Sequence, residues 1–351
     1  MKPRGLFLNV RKAECSIYES GVMIYNNIRN SPNYSLDYTE TTNKDMVIGN
    51  YDFYVFNYHF RDMGWLAVDR LNLPGLTIAF VLEMTEDDPF VMTPKEFDVY
   101  CVMDPTIYES DNLYAFPRAL DNYDVPAYQE KKIPQIGTFG FLTRGKGYDK
   151  VVEAVGKEFT EATVRINIPF GTHIGFTQRI KMRYLEWRIR RVTRRGIDVH
   201  ITHDYLSKWE LLKWCSENTL NVFLYDRDLP GLAATCDQCI TSGRPLAVSD
   251  NPTFRHILEY VLPYPKWSLM ESIKYSEACV KVMKNEWSKE KFKEKFEYVV
   301  SEHISPYNTI SGCNKLPSIS KMVYVYNRIR LAVYWRYRWL KHLLKSSRNL
   351  V

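Results

Sequence analysis

Glycine and fixed positive charge come together twice in the second half of this sequence, each time beside a segment that reads as the end of a buried strand. In the first stretch, Gly137 to Lys150 (GTFGFLTRGKGYDK), glycines 137, 140, 145 and 147 free the backbone while Arg144 and Lys146 put cations beside it. The second runs from Asn218 to His256. It parses as a strand (Leu220 to Tyr225), a turn holding Pro230 and Gly231, a helix from about Ala233 to Thr241, a Ser242-Gly243 stop, and a second strand (Pro245 to Val248). The first turn of a helix leaves N–H groups unpaired and carries partial positive charge. A phosphate arriving at Gly231, Leu232 and Ala233 would therefore meet donors, with Gly231 permitting close backbone approach. Asp237, further along the helix, is an acceptor for ribose hydroxyls if it faces the same cleft. The chemistry these residues suit is nucleotide binding.

A strand, helix, strand unit of this kind belongs to a parallel sheet, which binds ligands at the carboxyl ends of its strands. The first half supplies the same alternation. Strand signals at Gly5 to Val10, Tyr34 to Thr39, Tyr51 to Tyr58, Leu76 to Leu82 and Phe97 to Met103 are separated by helical or irregular spacers, which predicts a second parallel sheet covered on both faces. The loop after the first strand lacks G-x-G-x-x-G, so a dinucleotide is not indicated. Arg11, Lys12 and Ser16 in that loop are candidates for touching an acceptor or phosphate, and Arg118 in YAFPRALD is another. His59, just past the third strand, and Glu83, just past the fourth, stand where catalytic groups of such a domain would stand. Plainer readings exist for each: a structural histidine, a solvated acidic turn (Glu83, Glu86, Asp87, Asp88), solvated loop cations. The acidic spacing does not make a metal site, and none is expected.

The polar stretch Asn122 to Lys132, with Pro126, reads as a linker between domains. Beyond the first glycine loop, QRIKMRYLEWRIRRVTRRG reads as a helix with Met182, Leu185, Ile189 and Val192 on one apolar stripe. Arg183, Arg190, Arg191 and Arg194 project elsewhere, onto a face that acidic lipid would suit. Ser207 followed by Glu210 predicts a capping box. Lys284 to Glu297 reads as a solvated stretch, and residues 319–351 as a basic, aromatic helix.

Composition bounds the rest. The chain has 351 residues, 45% hydrophobic and 14% aromatic, enough for two α/β domains and against disorder. The formal charge is +6, from 47 Lys plus Arg against 41 Asp plus Glu, which does not demand a nucleic-acid partner. The apolar run at the N terminus is too short for a signal peptide, and no stretch approaches a spanning helix. Seven scattered cysteines fit reduced thiols in a cytoplasmic setting, and Cys236 and Cys239 read as small buried residues on one helix.

The block GLAATCDQCITSGRPLAVSDNPTFRHI resembles the donor-binding segment of glycosyltransferases with the GT-B fold, in the retaining family-4 group, with Gly231, Gly243, Pro245 and Ser249 in register. Pro230 takes the place of that pattern's first Glu and Gln238 that of the second, with Asp237 one residue before it; a divergent branch with a later FRHI fits better. Lys146 and Gly147 match the K-G pair of the family's phosphate loop. Phe141 stands where its Arg is usual, and Arg144 is the substitute.

The resemblance implies two Rossmann-like domains facing across a cleft: 1–128 on the acceptor side, 129–318 binding the nucleotide sugar, and 319–351 as a helix crossing back to the first domain. It implies transfer of a sugar from a UDP- or GDP-sugar to a saccharide, lipid-linked or other hydroxyl acceptor, with retention and without a required cofactor, as in surface polysaccharide synthesis. Lys146 and Arg144 would stabilise the departing diphosphate, with Gly140, Gly145 and Gly147 shaping the loop and Asp226 and Asp228 standing in for the missing Glu. Peripheral contact with a membrane's cytoplasmic face through the basic helices is a further expectation. The other classes weighed are a non-catalytic sugar-nucleotide or polyanion receptor of the same shape and an enzyme glycosylating modified DNA bases.

Overall fold

The computed structural model describes residues 2–12, 15–42, 49–59, 63, 73–82, 97–120, 123–169, 176–227 and 231–310, with 329, 333, 336 and 337 beyond. The chain divides into two compact units, Met1–Ala119 with Lys289–Val351, and Leu120–Ser288. The boundary expected from sequence, after 128, falls nine residues later, and the expected second domain runs on to 318. The crossing helix proposed for 319–351 lies almost wholly outside the described residues.

The first unit is a six-stranded parallel sheet in the order β2-β1-β3-β4-β5-β6, from β1 (Arg4–Val10), β2 (Ser35–Thr41), β3 (Phe53–Tyr58), β4 (Leu76–Val81), β5 (Val99–Val102) and β6 (Leu113–Ala115). Strands β3, β4 and β5 are buried at every position, which is why they read as unbroken apolar runs rather than alternating ones. Separate apolar clusters lie on the two faces. Helix α1 (Ser16–Ile28) covers one through Met23, Ile24 and Ile28.

A later helix shares that face. Lys289–Ile310 carries Phe292, Phe296, Val299, Val300 and Ile304 at helical spacing, all buried in the cluster that holds Phe7, Phe53 and Phe80. Phe292 stacks on Phe80 at 5.9 Å and Phe296 meets Tyr34 edge-on at 5.7 Å. Each such ring, fully buried, contributes roughly 1.5–3 kcal/mol. The stretch Lys284 to Glu297 is thus not uniformly solvated: its lysines and glutamates hide an apolar stripe that joins this segment to the first unit.

The second unit is a five-stranded parallel sheet ordered β11-β10-β7-β8-β9. Its strands are β7 (Gln135–Phe139), β8 (Ala162–Asn167), β9 (Ile197–Thr202), β10 (Leu220–Phe223) and β11 (Leu246–Val248). Between them run α2 (Tyr148–Glu158), α3 (Phe176–Val192), α4 (Lys208–Ser216) and α5 (Ala234–Ser242), with α6 (Arg255–Leu258) and α7 (Leu269–Glu286) after β11. Edge strand β9 alternates, with Ile197, Val199 and Ile201 less exposed than Asp198, His200 and Thr202, as a strand with one packed face does.

The local signals act as expected. Ser207 and Glu210 form a reciprocal capping box at α4. Gly243 ends α5 at φ +73°, a left-handed conformation that suits glycine. Cys236 and Cys239 are wholly buried in α5, and burial pushes the Cys239 thiol up. Among the described residues no helix is long and apolar enough to cross a membrane.

Candidate active site at the switch point of the second sheet

The order of the second sheet fixes where a ligand goes. From β7 the chain steps outward through β8 to β9, then returns to lay β10 on the other side of β7. The crossovers leaving β7 and β10 therefore run in opposite directions, which makes the carboxyl ends of these two strands the topological switch point, where open α/β sheets bind ligands. Both glycine-bearing stretches are the loops that begin these crossovers.

Glycine lets them interlock. Gly140, Gly145 and Gly147 all adopt positive φ, at +131°, +79° and +65°. A Cβ on Gly147 would fall 2.0 Å from the Leu224 carbonyl oxygen, and one on Gly145 would strike Arg227 at 2.7 Å. The Asp226 amide donates to the Gly145 carbonyl at 3.0 Å, closing the junction.

Four side chains converge there. Lys146 is 8% exposed, and its Nζ donates to the phenol oxygen of Tyr225 at 2.7 Å. That oxygen is also 3.1 Å from Thr235 Oγ1, in the first turn of α5. Arg227 lays its guanidinium 5.2 Å from the centre of the Tyr225 ring and donates to Thr253 Oγ1 at 3.4 Å. Burial, and then the neighbouring Arg227 charge, lower the Lys146 ammonium to about 7. Lys146 is thus not the permanently charged group that its type suggests. A buried lysine beside a half-buried like charge forms a site that an anion would relieve.

The turn before α5 is tied down. Thr253 Oγ1 donates to the Gly231 carbonyl at 2.7 Å, and the Thr253 carbonyl accepts from the Ala233 amide at 3.1 Å. Ser249 Oγ donates to the Tyr225 carbonyl at 2.6 Å, and Asn251 Nδ2 to the Arg227 carbonyl at 2.9 Å. Gly231, Leu232 and Ala233 are buried, and the Ala233 amide is already engaged by the Thr253 carbonyl rather than open to a ligand. The helix begins at Ala234 without a side-chain cap, and half-buried Ala234 and Thr235 carry its first-turn amides. Those two amides follow directly on the three positions the sequence pointed to.

Other candidates separate. Asp226 points away from Tyr225 and Arg227, as its place between them in an extended segment requires, and its exposed carboxylate pairs with Lys150 at 2.6 Å. Arg144 is exposed on the same loop, but Arg227 is the guanidinium beside Lys146. Asp237 is 2% exposed, so its carboxylate is not open to a ribose hydroxyl. Glu83 and Asp228 lie outside the described residues.

In the first unit, Arg11, Lys12 and His59 follow β1 and β3, the neighbours about which that sheet reverses, and Arg118 follows β6. Arg11 and Lys12 are exposed, and Arg11 sits 3.8 Å from Glu40. His59 and Arg118 are buried, 8% and 5% exposed. Ser16 belongs to the first turn of α1 rather than to the loop. Behind them a buried pair fixes the edge: Asn57 Nδ2 donates to Asn9 Oδ1 at 2.8 Å and to the Ile17 carbonyl at 2.8 Å, tying β3 to β1 and to α1.

Sequence reasoning passed over Tyr225, Arg227 and Thr235. A signal existed: in LYDRD the residues that alternate with Asp226 at the end of a buried strand are Tyr225 and Arg227, and period-two reasoning puts them on one side.

No protein-family profile and no curated protein sequence matches the chain. Solved structures do. Anabaena HepE in complex with UDP superposes with a TM-score of 0.59 at 8% identity, over 86% of this chain and 100% of that one. The trehalose-6-phosphate synthase OtsA gives 0.59 at 9% identity, over 85% and 98%. An alpha-glucosyltransferase bound to UDP and a 13-mer DNA containing an HMU base gives 0.51 at 12% identity, over 89% and 100%. The fold is that of the GT-B glycosyltransferases, two parallel-sheet α/β units in one chain.

Proposed function

We propose that this protein is a glycosyltransferase that takes a sugar from a nucleoside-diphosphate sugar and passes it to a hydroxyl acceptor. The observation that carries the reading is the convergence of Lys146, Arg227 and the uncapped first turn of α5 at the switch point of the second sheet. Cleavage of the bond between the anomeric carbon and the diphosphate leaves negative charge on the departing phosphate. Two cations and helix-terminal amides already in place stabilise that charge without reorganisation. Tyr225 holds Lys146 in position, and Arg227 takes the part of the family arginine that Phe141 replaces.

The donor we favour is a UDP-sugar, since the superposed HepE structure holds UDP; a GDP-sugar is the competitor. The acceptor is a saccharide or lipid-linked hydroxyl, with the protein cytoplasmic and the product a surface polysaccharide or related glycan. Arg11, Lys12, His59 and Arg118 are proposed for the acceptor side. Retention of configuration rests on the resemblance alone. The second reading, a receptor that binds sugar nucleotides without turning them over, is favoured by Pro230 at the family's first Glu position.

One experiment tests both. A thermal-shift screen of UDP, GDP and their sugars should show selective stabilisation, because a ligand that binds only the folded state raises its stability with occupancy. Release of free nucleoside diphosphate from the selected donor when acceptor is added then requires an enzyme. No stabilisation by any diphosphate rejects the site; binding without release leaves the receptor.

A further inference from the structure

Helix α3 has two apolar sides, and the fold uses one. Met182 and Ile189 are buried in the cluster of the second unit, with Leu185 and Val192 packed against it. On the opposite side Ile180, Tyr184 and Trp187 stand at i, i+4 and i+7, and are 52%, 59% and 49% exposed. They form one ridge: the Tyr184 and Trp187 rings stack at 5.7 Å, and Arg191, a turn further on, lays its guanidinium 4.8 Å from the Trp187 ring centre.

The flanks of this ridge carry one sign of charge. Arg179, Arg183 and Arg190 run along one side, with Lys181 and Arg188 along the other, all exposed. The helix's single acid, Glu186, lies toward the core side, 3.6 Å from His203. Of the flanking cations, Arg188 pairs with Asp149. Folding explains the inner stripe and leaves the outer one unaccounted for: an aromatic and aliphatic ridge with basic shoulders, on a helix whose polar face holds no acid.

We infer that this outer face of α3 docks on an anionic lipid bilayer, its axis in the plane of the interface. Ile180, Tyr184 and Trp187 enter the boundary between headgroups and acyl chains, while the arginines meet the headgroup phosphates. The two parts work together. Aromatic rings with amphipathic edges settle at headgroup depth, and long Arg stems keep their guanidinium groups at the phosphates while their methylenes cover the ridge. A nucleic-acid surface would use the arginines alike but gains little from an exposed Ile-Tyr-Trp ridge, so the apolar component decides for lipid. Because α3 follows β8, its first turn starts at the carboxyl edge of the sheet, the edge that carries the Lys146 site. Docking would hold the donor-binding edge near a membrane-borne acceptor. The surface itself does not depend on the transferase reading.

The test is flotation of the full chain with vesicles of phosphatidylcholine alone, and of phosphatidylcholine with about 30 mol% phosphatidylglycerol. The protein should float with the second and not with the first, and salt should weaken the association. A charge variant (R183Q, R190Q, R191Q) should lose about fivefold in partitioning for each arginine removed. An apolar variant (I180S, Y184S, W187S) should lose at least tenfold with all the arginines kept. These positions are exposed, and an unchanged thermal shift with UDP in each variant separates failed docking from failed donor binding. Absence of flotation with anionic vesicles, flotation indifferent to the apolar variant, or retention on a DNA duplex without vesicle binding would overturn the inference.

Discussion

Lys146 and Tyr225 come from loops that are 79 residues apart, yet the lysine ammonium donates to the phenol oxygen at 2.7 Å and lies 4.2 Å from the centre of the same ring. The pairing holds a buried cation without a carboxylate partner. A carboxylate there would neutralise the lysine for good, whereas a phenol fixes its place and leaves the charge for an arriving anion.

The first consequence concerns turnover. Lys146→Met removes the charge and keeps most of the bulk, so the fold should persist. If Lys146 stabilises the leaving diphosphate, kcat should fall by roughly 10²–10³, the usual loss for a preorganised charge-stabilising group. Steady-state rates with the selected donor, beside a melting curve, check it; a transfer rate equal to the parent's removes Lys146 from the mechanism.

Proton linkage gives the second. The ammonium titrates at about 7 in the free protein, lowered first by burial and then by Arg227. A bound diphosphate favours the charged form and raises that value, so binding takes up a proton above neutrality. UDP affinity should hold up to about pH 7 and fall as pH rises toward about 9, where the phosphate's own ionisation is complete. Calorimetry in buffers of different ionisation enthalpy measures the uptake. Lys146→Arg, always charged, should flatten the profile, and a flat profile in the parent protein would contradict the linkage.

Arg227 yields a third expectation, with two readouts of opposite sign. Arg227→Met should weaken UDP binding about tenfold or more through loss of a charge-assisted contact. It should also shift the pH profile upward, because the like charge that depresses Lys146 has gone. A purely structural role for Arg227 would lower the melting temperature and leave the midpoint of the profile in place.

Two glycines of similar backbone separate strain from collision. Gly147 at φ +65° and Gly243 at φ +73° are both left-handed. A Cβ at Gly147 meets the Leu224 carbonyl at 2.0 Å, while one at Gly243 meets nothing within 4 Å. Gly243→Ala should therefore cost about 1 kcal/mol, the conformational penalty alone. Gly147→Ala should cost roughly 2–4 kcal/mol, because the β7 and β10 loops must part, and should impair donor binding as Lys146 moves. Denaturant titration of the two variants compares them; equal losses would show that the loops do not need close contact.

Much of this protein can be read from the order of its residues. The apolar runs at Phe53–Tyr58 and Leu76–Val81, the Ser207–Glu210 cap and the Gly243 stop are local: each depends on neighbours within a turn or on the period of burial, and each forms where the chain predicts it. The glycines at 140, 145 and 147 likewise announce close backbone approach, though not to what. That Phe292 and Phe296 belong to the first unit could not be read, because their lysine- and glutamate-rich surroundings match a solvated helix as well as a half-buried one. Nor could the site's second cation. Arg144 is nearer to Lys146 in sequence, but Arg227 is brought beside it by the return of β10 against β7, and strand order is a property of the whole sheet. The same crossing lowers Lys146 by setting Arg227 beside it, while the loop after β11 brings the Thr253 carbonyl onto the Ala233 amide. Residue type and spacing determine which groups can do chemistry; burial and the crossing of strands distant in sequence decide which of them are charged, open and together.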